Sequence, residues 1–490
     1  MFSILSADQM REWENSSWKQ GIKEEVVIRQ AGRCVGEALL RLFRPEKETL
    51  FLFAVGKGHN GDDARVAAEF VSQYCQVKIC EIKSPLDDVD KLRELVESSE
   101  NKPKILIDGL FGIGLNRPLN GPWCQLIRLM NDCRIPIVSV DIPSGLSVDG
   151  IPFPEAIKAD YTLTLGCPKT SLINPQAAKY AGQIELLSEI GLSKEIPPSS
   201  LHWLEGSDFE SFYSKPLLDC NKGTFGHLLI LAGSLGYHGA AVLAAKAAAA
   251  SGVGLVTVCV QPDVYIPVAS QLQVQMVHPW SPKWKIPLRT TAIMMGPGLA
   301  DPSIPKEFWD WCVNLWRFSS LPILADASAL DHLPLGECDS SRGNCGARRI
   351  LTPHPGEAAR LLRCSTEDVL TDRKGALKRI STSYGNAIVA LKGYQTLVGR
   401  ADSDLYLTPI AAPGLAQGGT GDVLAGFAGG VLAQENEHSL LEKVCYAVYH
   451  HAEVGAALDK KFTKERAEFL VMKNNFYRGA WTASDLAERM

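Results

Sequence analysis

Short apolar runs rich in Val, Ile and Leu recur along this chain, and a cluster of Gly, Asp, Asn or Ser follows most of them. The runs Thr49–Val55, Val77–Ile82, Ile105–Ile107, Ile135–Val140 and Tyr161–Leu165 are short and rich in Val, Ile and Leu. They suit parallel strands buried on both sides, and the segments between them are long enough for crossover helices. The first part of the chain is therefore expected to be a doubly wound α/β sheet, which binds ligands at the carboxyl ends of its strands. Residues 3 to 44 read as two helices, with Ser6 capping the first and a stripe of Val35, Ala38, Leu39 and Leu42 on the second.

At 490 residues the chain exceeds one ordinary core, so two domains are expected. The boundary falls near Pro197-Pro198-Ser199-Ser200, giving domains 1–199 and 200–490. A formal charge of −5 gives no electrostatic reason to expect a nucleic-acid or membrane partner. The thirteen cysteines form no CxxC pair, which speaks for reduced thiols and against a disulfide framework or a zinc site. Cys34 and Cys445 lie in apolar helical patterns and are expected in the core. The N-terminal MFSILSADQMREWE carries no basic region ahead of an apolar stretch, and Gly239–Val260 is interrupted by Lys246, Gly252 and Gly254. A cytoplasmic protein is expected.

Three polar motifs follow strands of the first domain. They are Gly56-Lys57-Gly58-His59-Asn60-Gly61-Asp62-Asp63-Ala64, Asp108-Gly109-Leu110-Phe111-Gly112-Ile113-Gly114-Leu115-Asn116-Arg117-Pro118, and Asp141-Ile142-Pro143-Ser144-Gly145-Leu146. Each alone is compatible with an ordinary βα turn. In phase with the strand order, they gather Asn, Asp and Ser oxygens suited to one hard monovalent cation and leave a glycine-rich loop and Arg117 for phosphates.

Together the motifs resemble the NAD(P)H-hydrate epimerase family over about residues 4 to 195. The resemblance implies that His59, Asn60, Gly61, Asp62, Asp63, Gly112, Ile113, Gly114, Leu115, Asn116, Arg117, Pro118 and Asp141 bind the hydrated nucleotide. It implies K⁺ on Asn60, Asp108 and Ser144, and Asp141 as acid/base. The family's NNGGDG is here His59-Asn60-Gly61-Asp62-Asp63-Ala64, and its LMExAG is Val27-Ile28-Arg29-Gln30-Ala31-Gly32. Asp62 and Ala64 in place of glycines are expected to restrict φ and to bring a charge near a phosphate-binding backbone.

The second domain repeats the pattern. Strand runs Leu228–Ala232, Leu255–Val260, Ala292–Met295, Ile323–Leu324, Ile350–Leu351 and Ala387–Leu391 lead to polar motifs. These include Gly296-Pro297-Gly298-Leu299, Asp326-Ala327-Ser328, Thr352-Pro353-His354-Pro355-Gly356-Glu357 and Lys392-Gly393-Tyr394-Gln395-Thr396. Pro355 suits the first position of a helix and leaves His354 exposed at the strand end. Last comes Ala416-Gln417-Gly418-Gly419-Thr420-Gly421-Asp422-Val423-Leu424-Ala425-Gly426 ahead of a helical pattern. Glycines before a helix leave N–H groups aimed at an anion, and a lone carboxylate in the first turn suits removal of a hydroxyl proton during phosphoryl transfer. By themselves these residues also suit a tight turn capped by Asp422.

The order of motifs resembles the ribokinase-like NAD(P)H-hydrate dehydratase family over about residues 220 to 460. The resemblance implies that Lys392, Gly393, Tyr394, Gln395, Thr396 and Gly421 bind ADP. It also implies that Ala240, Gly298, His354 and Asp422 face the hydrate, with Asp422 catalytic and Mg²⁺ as cofactor. Ser328 stands where the family often has Asp. The whole chain thus resembles a bifunctional repair enzyme for hydrated NADH and NADPH. Such an enzyme interconverts the R and S hydrates, then phosphorylates the S form from ADP and eliminates phosphate. A homo-oligomer with only small-molecule partners is expected. The rival readings are a ribokinase-like vitamin or sugar kinase and a non-catalytic nucleotide-binding first domain.

Overall fold

The computed structural model describes residues 1–97, 103–213, 219–336, 348–469 and 481–490. It divides into two compact units, Phe2–Trp203 and Leu204–Met490.

The first unit runs β1 (Phe2–Ser3), α1 (Ala7–Lys19), α2 (Glu24–Phe43), β2 (Leu50–Val55), α3 (His59–Val71), β3 (Gln76–Glu81) and α4 (Pro85–Glu97). It continues through β4 (Lys104–Gly109), α5 (Gly121–Asp132), β5 (Ile137–Val140), β6 (Tyr161–Leu165), α6 (Ala178–Ala181), β7 (Gln183–Leu187) and β8 (Leu201–Trp203). Strands β3-β2-β4-β5-β6-β7 form one sheet in that order, every pair parallel. The chain leaves β2 toward β3 and returns to β4, so the order reverses at β2/β4, where a doubly wound sheet opens its binding crevice. Ser6 caps α1 with a reciprocal Gln9 bond.

The second unit runs β9 (His227–Leu231), α7 (His238–Ala250), β10 (Leu255–Val260), α8 (Tyr265–Ala269), β11 (Met276–Pro279), β12 (Ala292–Met295), α9 (Lys306–Phe318) and β13 (Ile323–Ala325). Then come β14 (Arg349–Leu351), α10 (Pro355–Leu362), α11 (Thr366–Thr371), α12 (Arg373–Ser383), β15 (Ile388–Leu391), β16 (Leu397–Gly399) and β17 (Leu405–Leu407). Helices α13 (Thr420–Ala433), α14 (Leu440–Phe469) and α15 (Ala483–Ala487) complete it. Its strands order as β17-β16-β15-β14-β13-β12-β9-β10-β11. The pairs from β14/β15 to β10/β11 are parallel, and β16 and β17 are antiparallel additions. Helix α13 lies directly on α7, because a Cβ on Gly426 would come within 2.0 Å of Ala244 O. That approach fixes where the first turn of α13 meets the strand ends.

Strands β7, β11 and β16 have no counterpart among the apolar runs. β16 is a buried three-residue strand between β15 and β17, too short to write a run, whereas β7 and β11 are sheet edges. Every residue of β7 is only half buried, and β11 is exposed except for one half-buried residue. Sheet edges of this kind lack the continuous apolar signal of a central strand. The expected two-sided burial of the run Val77–Ile82 is corrected as well: β3 is the other edge of the first sheet, and Cys80 is its one buried residue. Cys445 is in the core, but Cys34 is only half buried, with its thiol 3.6 Å from Glu189 O. The expected core placement of Cys34 is thus corrected: it lies on the outer flank of the α2 stripe.

Candidate functional site

In the first unit the close approach of two turns defines the site. A Cβ on Gly61 would stand 2.2 Å from Gly56 O, and one on Gly56 would stand 2.2 Å from Leu110 O. No residue with a side chain fits there, so the start of α3 is pulled against the ends of β2 and β4. His59, Asn60, Gly61, Asp62 and Asp63 are all helical residues of α3. The expected φ restriction at Asp62 and Ala64 does not arise, because neither position requires a left-handed backbone. Ala64 is fully buried, and a Cβ on Gly109 would meet its methyl at 2.5 Å.

Asn60, Asp108 and Ser144 come together around the backbone of Phe111. Asp108 is fully buried and accepts from Ser144 Oγ (2.5 Å), Ser139 Oγ (2.8 Å) and Ser144 N (2.9 Å). Phe111 N donates to Ser144 Oγ at 2.9 Å, and Asn60 Nδ2 donates to Phe111 O at 3.0 Å. Burial raises the Asp108 carboxyl above its usual range against the pull of these donors. Asn60 Oδ1 is buried with no hydrogen-bond partner. An oxygen in that condition is what a site for a weakly charged cation leaves open.

Asp141 follows β5 with φ +67° and is buried. A Cβ on Gly112 would meet Asp141 Oδ2 at 3.3 Å and Asn60 Cγ at 3.4 Å, so the carboxylate and the amide face the same small gap. Asp141 Oδ1 accepts from Leu165 N at 3.2 Å and from the buried ammonium of Lys169. Asp63 and Glu14 lie near this pair. Burial raises both carboxyls, Asp63 well above the ordinary range, and Asp141 adds to each shift. Lys169 and Glu14 were not among the expected residues. Cys167-Pro168-Lys169 follows β6 as the other motifs follow their strands, and that position was the available signal; Glu14, inside α1, offered none.

The rest of the predicted set is peripheral. Ile113 O accepts from Arg11 at 2.9 Å and Leu115 is buried, whereas Gly114, Asn116, Arg117 and Pro118 are exposed. His59 is exposed, with Nε2 3.2 Å from Glu24 Oε1. Asp62 is paired with Arg65 at 2.8 Å, which answers the charge expected to disturb the loop.

In the second unit the ends of β9, β12, β13, β14 and β15 and the start of α13 surround one cluster. Asp326, after β13, is buried and accepts from Lys392 Nζ at 2.6 Å and Thr352 Oγ1 at 2.7 Å. Glu357 Oε2 lies 3.9 Å from Lys392 Nζ and accepts from His354 N at 2.7 Å. Burial works against the Lys392 ammonium, but Asp326 and Glu357 outweigh it and raise its pKa. Gly421 stands next to Lys392 Nζ, which a Cβ there would meet at 3.5 Å. Asp422 comes next, in the first turn of α13. Its carboxyl is pushed up to about 7 by burial first, then by Asp326 and Glu357 against the pull of Lys392.

Gly298 has φ +66°, and a Cβ on it would stand 3.0 Å from that of Ala240, so these two predicted residues touch. His354 is the N-cap of α10, its Nδ1 accepting from Gly356 N at 3.0 Å, with about half its ring exposed. The turn from Lys392 to Thr396 is tied down by buried Arg373, which donates to Tyr394 O at 2.8 Å and Gln395 O at 3.0 Å. Gln395 is the predicted residue least available to a ligand, being 2 % exposed with φ +52°. His451 was not anticipated. Its Nε2 is 3.0 Å from Thr420 O, and burial lowers it to about 4, so a neutral ring supports the start of α13.

Two family models match the chain, NAD(P)H-hydrate dehydratase over residues 228–473 and YjeF-related protein N-terminus over residues 24–171. A Coxiella burnetii protein named bifunctional NAD(P)H-hydrate repair enzyme Nnr is 32% identical, covering 87% of this chain and 89% of its own length. One of the same name from Synechocystis is 31% identical, covering 96% and 94%. Among solved structures, an ADP/ATP-dependent NAD(P)H-hydrate dehydratase from Bacillus subtilis is 27% identical over 56% of this chain and 90% of its own, with a TM-score of 0.46.

Proposed function

The chain belongs to the family of bifunctional NAD(P)H-hydrate repair enzymes, and from that premise we propose which unit performs which step. The first unit interconverts the R and S hydrates of NADH and NADPH. The second transfers a phosphoryl group from ADP to the hydroxyl of the S hydrate and eliminates phosphate, leaving AMP, phosphate and NAD(P)H. Hydroxide is a poor leaving group and phosphate a good one, so phosphorylation makes the elimination possible.

The observation that carries this reading is the placement of Asp422 in the first turn of α13, next to Gly421, which itself stands against Lys392 Nζ. Burial there raises its carboxyl to about 7. A general base works best with a pKa near the operating pH. Asp422 takes the hydroxyl proton, the N–H groups at the start of α13 meet the phosphoryl oxygens, and Lys392 offsets their charge. We assign Lys392, Gly393, Tyr394, Gln395, Thr396 and Gly421 to ADP, the buried Gln395 through its backbone. Ala240, Gly298 and His354 go to the hydrate. Among the described residues no group of three His, Cys, Asp or Glu side chains is placed to hold a metal ion, and Lys392 already sits against Asp326. Mg²⁺ in this unit would therefore be held chiefly by the phosphates of ADP, whose charge it would neutralise.

In the first unit Asp141 is the acid/base and Lys169 steadies it. The loops His59–Asp63 and Gly112–Pro118 hold the nucleotide, and the unpartnered Asn60 Oδ1 fits K⁺ with Asp108 and Ser144. We place the protein in the cytoplasm; among the described residues no helix is long and apolar enough to cross a membrane.

The test is incubation of the purified chain with mixed hydrates and ADP or ATP, following absorbance near 340 nm and released phosphate. A stable phosphoester without recovered NADH would overturn it. A fragment beginning at Leu204 should still consume the S hydrate and leave the R form to spontaneous epimerisation. A folded but inert fragment would remove the assignment of steps to units.

A further inference from the structure

Resting on the reading of the first unit as a hydrate epimerase, we propose that the Asp62–Arg65–Glu81 cluster makes this unit select the hydrate of NADH over that of NADPH.

Arg65 stands on α3 one turn after Asp62, and Glu81 is the last residue of β3, the parallel neighbour of β2. The guanidinium donates to Asp62 Oδ1 (2.8 Å), to both oxygens of Glu81 (2.8 and 2.7 Å) and to Gly56 O (2.7 Å). Four of the five N–H donors of an arginine are thereby committed. The bond to Gly56 O ties the cluster to the same turn that Gly61 touches. The three side chains are about a third exposed, so a ligand lying over the strand ends reaches them.

In a doubly wound sheet the adenosine ribose of a dinucleotide lies across the end of the strand beside the first one. An acid at that point accepts from the ribose 2′-hydroxyl, and a free arginine there instead receives a 2′-phosphate. Glu81 occupies that position, roughly twenty residues beyond the glycine turn. Here the arginine is not free. Its charge is shared between two carboxylates, so the cluster carries one net negative charge. The Arg65 hydrogen bonds hold the Glu81 carboxyl below its usual range, so it stays ionised at neutral pH. A ribose hydroxyl can donate to such a carboxylate. A 2′-phosphate would meet like charge and has only one uncommitted Arg65 donor to turn to. Lys57, Lys83 and Lys91 are exposed, and the last two lie close enough to Glu81 to help lower its carboxyl. A strongly hydrated ammonium on a flexible stem is nonetheless a weaker phosphate receptor than an arginine fork.

The experiment measures kcat/KM of the full chain for the R hydrates of NADH and NADPH, separating the epimers by chromatography so that the second unit does not enter the readout. The NADH hydrate should be preferred by about tenfold or more. The double variant Asp62→Asn/Glu81→Gln releases Arg65 and should reduce or reverse the preference. Arg65→Met leaves two unopposed carboxylates and should widen it. Each ratio comes from one preparation, so loss of folded protein cancels, and opposite shifts from neighbouring sites do not arise from misfolding. Equal use of both hydrates by the wild type, or an unchanged ratio in the double variant, would overturn the proposal. So would a preference for the NADPH hydrate that Lys83→Ala abolishes. Failure to epimerise either hydrate above the spontaneous rate would remove the functional reading of the unit, and this inference with it.

Discussion

Lys392 Nζ lies 2.6 Å from Asp326 Oδ1 and 3.5 Å from where a Cβ on Gly421 would stand. The ammonium is therefore held between an acidic strand end and the glycine turn that opens α13. A cation fixed in that position needs no rearrangement when phosphoryl charge arrives, which is the condition under which electrostatic stabilisation is strongest. Asp422, one residue further on, shares the same field.

Asp422→Asn should leave the fold and ADP binding intact and lower the rate of NADH recovery from the S hydrate by on the order of 10²- to 10⁴-fold, the usual worth of one positioned proton transfer. Recovery at nearly the wild-type rate would show that another group takes the proton.

The dehydratase rate should depend on pH through the same carboxyl. Its value in the folded protein, about 7, lies above that of an ordinary aspartate, so the group is protonated and inactive below that pH and ionised above it. The rate from the S hydrate should fall as pH drops through about 7. Glu357→Gln removes a negative neighbour and should move the midpoint down; Lys392→Met removes the positive one and should move it up. A midpoint that stays put in both variants would assign the profile to another group.

These strand-end clusters were legible in the sequence because a parallel strand buried on both faces writes a continuous apolar run. The residues just beyond such a run must then sit at the binding edge of the sheet. The positions of Asn60, Asp108, Asp141, His354, Lys392 and Asp422 at strand ends or the helix starts beyond them were legible in this way. The partners of the charges were not. Lys169 meets Asp141 across 28 residues and Lys392 meets Asp326 across 66, and no local period links residues so far apart. Gln395 shows the complementary case, a buried side chain in a predicted turn, since a motif names the residues of a turn without saying which side chains face inward.

The ion pair of Asp141 and Lys169 should prove costly to break and cheap to remove whole. Lys169→Met strands a buried carboxylate and is expected to destabilise the first unit by about 3–5 kcal/mol. Adding Asp141→Asn should restore much of that. Hydrogen exchange of the β5 and β6 amides reads the difference, and a double variant as unstable as the single one would contradict the pairing.

Epimerisation should run faster in K⁺ than in Na⁺ or without added monovalent salt, and Asn60→Ala should abolish the difference by removing the unpartnered buried oxygen. Equal rates in the three media for the wild-type chain would make the Asn60, Asp108 and Ser144 cluster purely structural.

The first-unit centre draws Glu14 from α1, Asp63 from α3, Asp141 from the end of β5 and Lys169 from beyond β6, a span of 155 residues. No short contiguous portion of the unit contains it. During synthesis the N-terminal acid waits until β6 has joined the sheet, so the centre comes into being only with late long-range pairings. Such pairings are the slow part of assembling a parallel sheet. A nascent or truncated chain can therefore look folded through α3 and β4 and still be catalytically silent. Regained epimerase turnover would mark the end of assembly of this unit and not its beginning.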